Sequence, residues 1–202
     1  PWQTQATYAP GAEVEVAVKL TAHHEGYFEF FVCPDIEAPT KACFDMYPLE
    51  FVSDPLYGAG KDPNYPARAY IPPTALPGYD MASHRYVVKM PDNAPSGDVL
   101  LQWRYITRNT CEPNEGYQDF YNTLWGGIMS AYDPSQDPCM DPLPETREDS
   151  FNVPERFWNC AEISISGSAP GPTPSPTTSL PGPAPTPTPA PVAATSPPGP
   201  AP

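Results

Sequence analysis

EVEVAVKL, residues 13–20, has a large apolar side chain at every second position along its length. In an extended strand, successive side chains point to opposite faces. One face then carries Val14, Val16, Val18 and Leu20, and the other carries Glu13, Glu15, Ala17 and Lys19. The pattern predicts a strand with one face buried in a core and one face in water.

Strand patterns recur along the chain, whereas helix signals are poor. They cover residues 27–32, 85–90, 99–106 and 157–165, with a Pro- and Gly-containing turn at 91–97 between two of them. This arrangement favours an all-β fold, an antiparallel immunoglobulin- or fibronectin-like β-sandwich. Two long intervals, 34–83 and 107–153, are rich in proline and aromatic residues and are predicted to be large loops stapled by disulfides.

Composition changes abruptly at Gly167. Residues 167–202 contain no charged or aromatic residue, so they cannot form a core, and we expect an extended polyproline II tail. The predicted domains are therefore a sandwich over residues 1–166 and a tail over 167–202. We expect O-glycosylation of the tail, with these candidate sites: Thr173, Ser175, Thr177, Thr186 and Thr188.

The net charge of −14 lies entirely in the sandwich part. Nucleic acid is excluded as a partner because binding it requires a surplus of Lys and Arg. No run of eighteen apolar residues exists, so we expect no membrane span.

The five cysteines do not show the paired spacing of a zinc site. They indicate a disulfide-bonded protein that is extracellular, either secreted or at the cell surface. Cys33 and Cys43 flank a short loop and are expected to pair, and Cys160 is expected to pair with Cys111 or Cys139. One cysteine is then left over, either for a partner outside these residues or as a free buried thiol.

Three ordered motifs resemble one enzyme family. LTAHHEGYFEFFVC (20–33) is similar to a segment of the form T-A-N-H-x-G-Y-F-E-F, VLLQWRY (99–105) to a Trp-Arg-Tyr strand, and PERFWNCAEI (154–163) to Q-E-T-F-R-x-C-A-D-I. These motifs belong to lytic polysaccharide monooxygenases, the chitin- and cellulose-active type of animals, algae and oomycetes. The resemblance covers roughly residues 8–165.

The resemblance implies a copper site. His24 is the candidate metal ligand, Phe157 takes the axial position, and Glu155 becomes the catalytic residue that positions the oxygen species. In the family, an amino-terminal histidine supplies the other nitrogens, and that segment has no counterpart before Trp2. We therefore expect no cofactor in the chain as written, and copper only where the amino-terminal segment exists.

Other interpretations of these residues stay open. His24 without copper is a hydrogen-bonded histidine, and Phe157 is a core aromatic. His23 is expected to point away from His24, and His84 opens another strand, although imidazoles distant in sequence can meet in space. Trp103, Arg104 and Tyr105 favour packing over chemistry.

Carboxylate pairs such as Asp35 with Glu37, and Glu148 with Asp149, lie in acidic loops and do not identify a glycosidase. The long loops also carry aromatic side chains that could stack on sugars, fill loop cores or form a subunit interface: Tyr57, Tyr65, Tyr70, Tyr79, Tyr117, Tyr121, Trp125 and Tyr132.

Two functions follow. The sequence favours a noncatalytic extracellular glycoprotein, a structural subunit of a filament, sheath or matrix that self-associates and contacts glycans or polysaccharide. The alternative is a fragment of a secreted copper-dependent monooxygenase that cleaves chitin, cellulose or a related polysaccharide.

Overall fold

The computed structural model describes residues 2–113, 116–126, 128, 137–139 and 152–167. Within these residues the elements are, in chain order, β1 (Ala6–Tyr8), β2 (Glu13–Val18), β3 (Tyr27–Cys33), α1 (Lys41–Asp45), β4 (Glu50–Ser53), β5 (Ala69–Tyr70), β6 (His84–Lys89), β7 (Gly97–Ile106), α2 (Tyr117–Trp125) and β8 (Arg156–Ile165). The predicted tail lies outside this part of the chain, apart from Gly167.

The described strands form two sheets that face each other across one core. The larger sheet has the order β1-β8-β7-β3-β5, and the smaller has the order β2-β6-β4. Neighbouring strands are antiparallel, except that β1 runs parallel to β8. The predicted β-sandwich is thus confirmed.

Strands β3, β7 and β8 form the centre of the larger sheet. Tyr27 lies opposite Ile106, and the register continues to Cys33 opposite Leu100. On the other side of β7, Ile106 lies opposite Arg156, and Tyr105 lies opposite Phe157. The start of β3, the end of β7 and the start of β8 therefore meet at one end of the sandwich.

The core follows the alternation in the sequence. Val14, Val18 and Leu20 are buried, as expected, while Val16 is only partly buried. Phe28 of β3 is fully buried, with its ring centroid 5.7 Å from that of Tyr86 in the smaller sheet and 5.1 Å from that of Tyr105. Such edge-to-face aromatic contacts stabilise the stacking of the two sheets.

The two predicted loops contain more structure than expected. The first contains α1, β4 and β5, and the second contains α2. Three aromatic side chains spaced four residues apart, Tyr117, Tyr121 and Trp125, bury one face of α2. The four-residue spacing is the helix signal in the sequence. The signal is weak because the helix is short and is bounded by Gly116 and Gly126.

The cysteines pair in part as predicted. Cys33 bonds to Cys43, which confirms that pair, and Cys111 bonds to Cys139. The expected bond from Cys160 is therefore wrong, because Cys111 and Cys139 close their own loop. Cys160 is the free thiol, and it lies exposed on β8 opposite Gln102, not buried.

Among the described residues, no helix is long and apolar enough to cross a membrane.

Candidate functional site

His24 lies in the turn that leads into β3. Its amide donates a hydrogen bond to the hydroxyl oxygen of Tyr105 at 2.9 Å, and its carbonyl accepts one from the amide of Arg108 at 2.9 Å. Both partners come from the end of β7 or the residues after it. The main chain of His24 is therefore fixed to the larger sheet on both sides, while its side chain stays 31% exposed.

Gly26 makes this turn possible. Its φ is +83°, and a Cβ atom here would lie 1.9 Å from the carbonyl oxygen of Ile106. The Tyr117 hydroxyl accepts a hydrogen bond from the Gly26 amide at 2.9 Å. Only glycine allows the chain to pass this close to β7.

Glu155 immediately precedes β8, and its side chain faces His24. Its Oε2 atom is 3.8 Å from Nε2 of His24, and its side chain is 27% exposed. The Asn109 side-chain amide donates to the same Oε2 at 2.8 Å. The Glu155 carbonyl accepts bonds from the amide and the hydroxyl of Thr107, both at 3.1 Å. The carboxylate is thus held in place, with water able to reach it.

Phe157 completes this group on β8. Its ring centroid is 5.8 Å from that of Tyr105, and the residue is 46% exposed. It is therefore not a core aromatic. We define the site group as His24, Glu155, Phe157 and Tyr105, which the structure brings together from three separate parts of the sequence.

The other two histidines lie elsewhere. His23 forms a 2.8 Å hydrogen bond through Nε2 with the Pro72 carbonyl, and its ring packs edge-on against Tyr79. His84 is buried, with Nε2 3.0 Å from the Tyr79 hydroxyl. Burial lowers the pKa of His23, and burial together with the neighbouring His23 lowers the pKa of His84 to about 4. His23 and His84 thus share Tyr79, and neither joins the site group.

The donor set fits one arm of a copper site. Copper in proteins favours imidazole nitrogen ligands, and His24 presents one, with a carboxylate beside it. In the part of the chain that the structure describes, no group of three His, Cys, Asp or Glu side chains could hold a metal ion. The described residues therefore account for one nitrogen ligand.

Four of the eight loop aromatics fill the interior. Tyr70, Tyr117, Tyr121 and Trp125 are buried, with Tyr70 stacked on Tyr117 at 5.2 Å between centroids. Tyr57, Tyr65 and Tyr79 are half-buried. The predicted glycosylation sites and Tyr132 lie outside the described residues.

Sequence reasoning missed two features. Tyr105 was expected only to pack, yet its hydroxyl binds the His24 main chain. Glu25 and Arg108 are buried charged residues beside His24, and the sequence signals neither burial. Trp103 and Arg104 do pack as expected: the Trp103 ring lies edge-on to Phe28, and Arg104 lies over the Phe31 ring at 4.3 Å.

Comparison with known proteins gives two similarities. A family model described as lytic polysaccharide mono-oxygenase, cellulose-degrading, matches residues 1–163. A solved structure, lytic polysaccharide monooxygenase AA15 from Thermobia domestica in the Cu(I) state, is similar with a TM-score of 0.46 and 21% identity. That match covers 81% of this chain and 63% of the Thermobia domestica protein. This chain therefore spans less than two thirds of the length of the protein it matches. No curated protein matches significantly.

Proposed function

The chain belongs to the lytic polysaccharide mono-oxygenase family, and we propose that it contributes one arm of a copper site that cleaves polysaccharide oxidatively. His24 is the nitrogen ligand of that arm. The observation that carries the proposal is the site group itself: an imidazole that is 31% exposed, a fixed carboxylate 3.8 Å away and a half-exposed aromatic ring at one end of the sandwich.

Two features of His24 support a ligand role. Its main chain is held by two hydrogen bonds, yet its ring is 31% exposed. A histidine that only stabilised the fold would be expected to have a buried ring, as His84 does, with its Nε2 atom 3.0 Å from the Tyr79 hydroxyl. A fixed main chain beneath an accessible ring instead suits a metal ligand, because little conformational freedom remains to be lost on binding.

Glu155 is proposed to handle protons beside the metal. Its carboxylate reaches the His24 ring and is oriented by Asn109, so it can accept or return a proton at Oε2 without rearrangement. Phe157 and Tyr105 contribute two adjacent aromatic rings to the group, with centroids 5.8 Å apart. Copper, when bound, supplies redox chemistry that no protein side chain provides.

The substrate class is proposed from the family, whose description names cellulose. Chitin is the second polysaccharide to test. Members of the family are typically secreted, so we also propose an extracellular location.

The test is an oxidation assay on native secreted protein supplied with Cu(II), a reductant, and either cellulose or chitin. We expect oxidised oligosaccharides by mass spectrometry, none from His24→Ala, and at least about tenfold less from Glu155→Gln. His23→Gln is the matched control, because Nε2 of that neighbouring ring bonds the Pro72 carbonyl at 2.8 Å. Native protein that yields no oxidised product on either substrate would overturn the proposal.

A second candidate is a noncatalytic structural subunit that associates with glycans or with other copies of itself. The observation in its favour is Trp158, 63% exposed on the outer face of the larger sheet, on the same strand as the exposed thiol of Cys160. Exposed aromatic side chains are common contacts at interfaces. Light scattering of native material would support this function if it found filaments or large oligomers, and a monomer carrying an unmodified tail would exclude it.

A further inference from the structure

The residue after His24 has an unusual main-chain conformation. Glu25 has a φ of +52° and is the one non-glycine residue with positive φ in the described ranges. For an L-residue this conformation costs about 1–2 kcal/mol, and it persists where the surroundings impose it.

Glu25 belongs to a cluster of buried or nearly buried charged side chains. The Glu25 side chain is 1% exposed, and its Oε2 atom lies 3.6 Å from a terminal nitrogen of Arg108, which is fully buried. Nε of Arg108 donates a 2.9 Å hydrogen bond to Glu112. Glu112 in turn accepts a 2.8 Å hydrogen bond from the Gln118 amide in the first turn of α2. Two carboxylates therefore hold one guanidinium between the turn of His24 and the helix.

Stability alone does not account for this arrangement. A buried ion pair is often no more stable than apolar side chains of the same volume, because desolvation of both charges offsets their attraction. Its advantage is geometric, because a buried ion pair fixes the positions of both charged groups. Arg108 is placed to use this advantage, since its amide binds the His24 carbonyl while its side chain binds Glu25.

We infer that Glu25 and Arg108 are positioning residues that hold the His24 ring in its orientation toward a metal ion. This role rests on the proposed function of His24 as a copper ligand. Arg108 fixes two consecutive residues, one through its main chain and one through its side chain. The His24 ring therefore leaves a rigid turn, with its Nε2 atom 3.8 Å from Oε2 of Glu155.

The test uses Cu(II) ions as the probe and the histidine ring signals in proton NMR as the readout, on the 202-residue chain. Paramagnetic Cu(II) broadens the signals of the ring that it binds, so His23 and His84 serve as internal references. In the unaltered protein we expect His24 to broaden first. In Glu25→Gln and Arg108→Lys, broadening of His24 should need at least about tenfold more Cu(II), which corresponds to one 1.4 kcal/mol step in affinity.

Two further variants separate the possible causes. Glu25→Gly removes the ion pair but permits positive φ, and it should weaken Cu(II) binding as much as Glu25→Gln does. Arg85→Lys alters an exposed ion pair with Glu15 on the smaller sheet and should leave the titration unchanged. If Glu25→Gln does not fold, Glu112→Gln cuts the other side of the group without touching the His24 turn.

The outcomes are distinct. Folded Glu25 and Arg108 variants that bind Cu(II) at His24 as tightly as the unaltered protein would overturn the positioning role and leave the proposed function standing. If His24 of the unaltered protein does not broaden ahead of His23 and His84, the proposed function fails, and the positioning role fails with it.

Discussion

The hydroxyl of Tyr105 accepts a hydrogen bond from the main-chain amide of His24 at 2.9 Å. Tyr105 is a buried residue near the end of β7, and its ring also contacts Phe28 in the core and Phe157 at the surface. One side chain therefore connects the hydrophobic core to the turn that carries the candidate ligand. A substitution that shifts the core packing around Tyr105 would therefore move His24 through this hydrogen bond.

Tyr105→Phe tests that connection. The change leaves the His24 amide without its acceptor in a partly buried position, and we expect a loss of about 1–2 kcal/mol in the free energy of unfolding. Urea denaturation measures it. Tyr65→Phe is the control, because no hydrogen bond of the Tyr65 hydroxyl occurs among the described residues, and its loss should stay below about 0.5 kcal/mol.

His84 should make the fold sensitive to acid. Its folded pKa of about 4 lies below the ordinary value of 6.5, so the unfolded chain binds a proton there before the folded chain does. The free energy of unfolding is therefore unaffected by His84 above pH 6.5, and it declines as the pH falls from 6.5 to 4. The loss should reach about 3 kcal/mol.

The measurement is the free energy of unfolding against pH for the unaltered protein and for His84→Gln. Comparing the two removes the contribution of the carboxylates, which titrate in both. Parallel curves between pH 6.5 and 4 would show that His84 does not titrate with the lowered pKa.

Gly26→Ala should abolish the native turn. The added methyl group would collide with the Ile106 carbonyl, and the φ of +83° is strained for alanine. We expect a loss above about 3 kcal/mol, or no folded protein. Gly58→Ala is a matched control, because Gly58 has a similar φ of +72° but open space around it. It should cost only about 1–2 kcal/mol, measured as the change in melting temperature.

Cys160 should be the one cysteine that alkylates in the native protein without a reductant. Partial burial raises the pKa of its thiol, while the hydrogen bond from Gln102 opposes this. Labelling by iodoacetamide should therefore be slow at neutral pH and accelerate as the pH rises. Intact mass spectrometry counts the labels. Labelling that persists in Cys160→Ser would mean that one of the two disulfides is not formed.

The sequence predicted the parts of the fold that depend on alternation. The strands around Val14, Tyr86 and Ile163 were found because one face of each is buried and apolar, whereas the strand around Phe28 is apolar and buried on both faces. Short elements such as β5 were missed. This strand has only two residues, Ala69 and Tyr70, which are too few to show an alternation of apolar and polar side chains. Their conformation comes from tertiary contacts, which local patterns do not encode.

The sequence proposed three members of the candidate site but none of the residues that support them. His24, Glu155 and Phe157 were identified by resemblance of motifs, and the structure places them together. The positions of Glu25 and Arg108 were not foreseeable, because charged residues are mostly exposed and nothing local marks these two as exceptions.

Both disulfides are shielded from solvent, since Cys33, Cys43, Cys111 and Cys139 are all buried, whereas Cys160 is an exposed residue. Electron donors such as thiols cleave disulfides that they can reach. Burial therefore slows the reduction of the covalent links in the loops of this protein. A donor that did reach Cys111–Cys139 would release the segment that carries Glu112, the partner of Arg108.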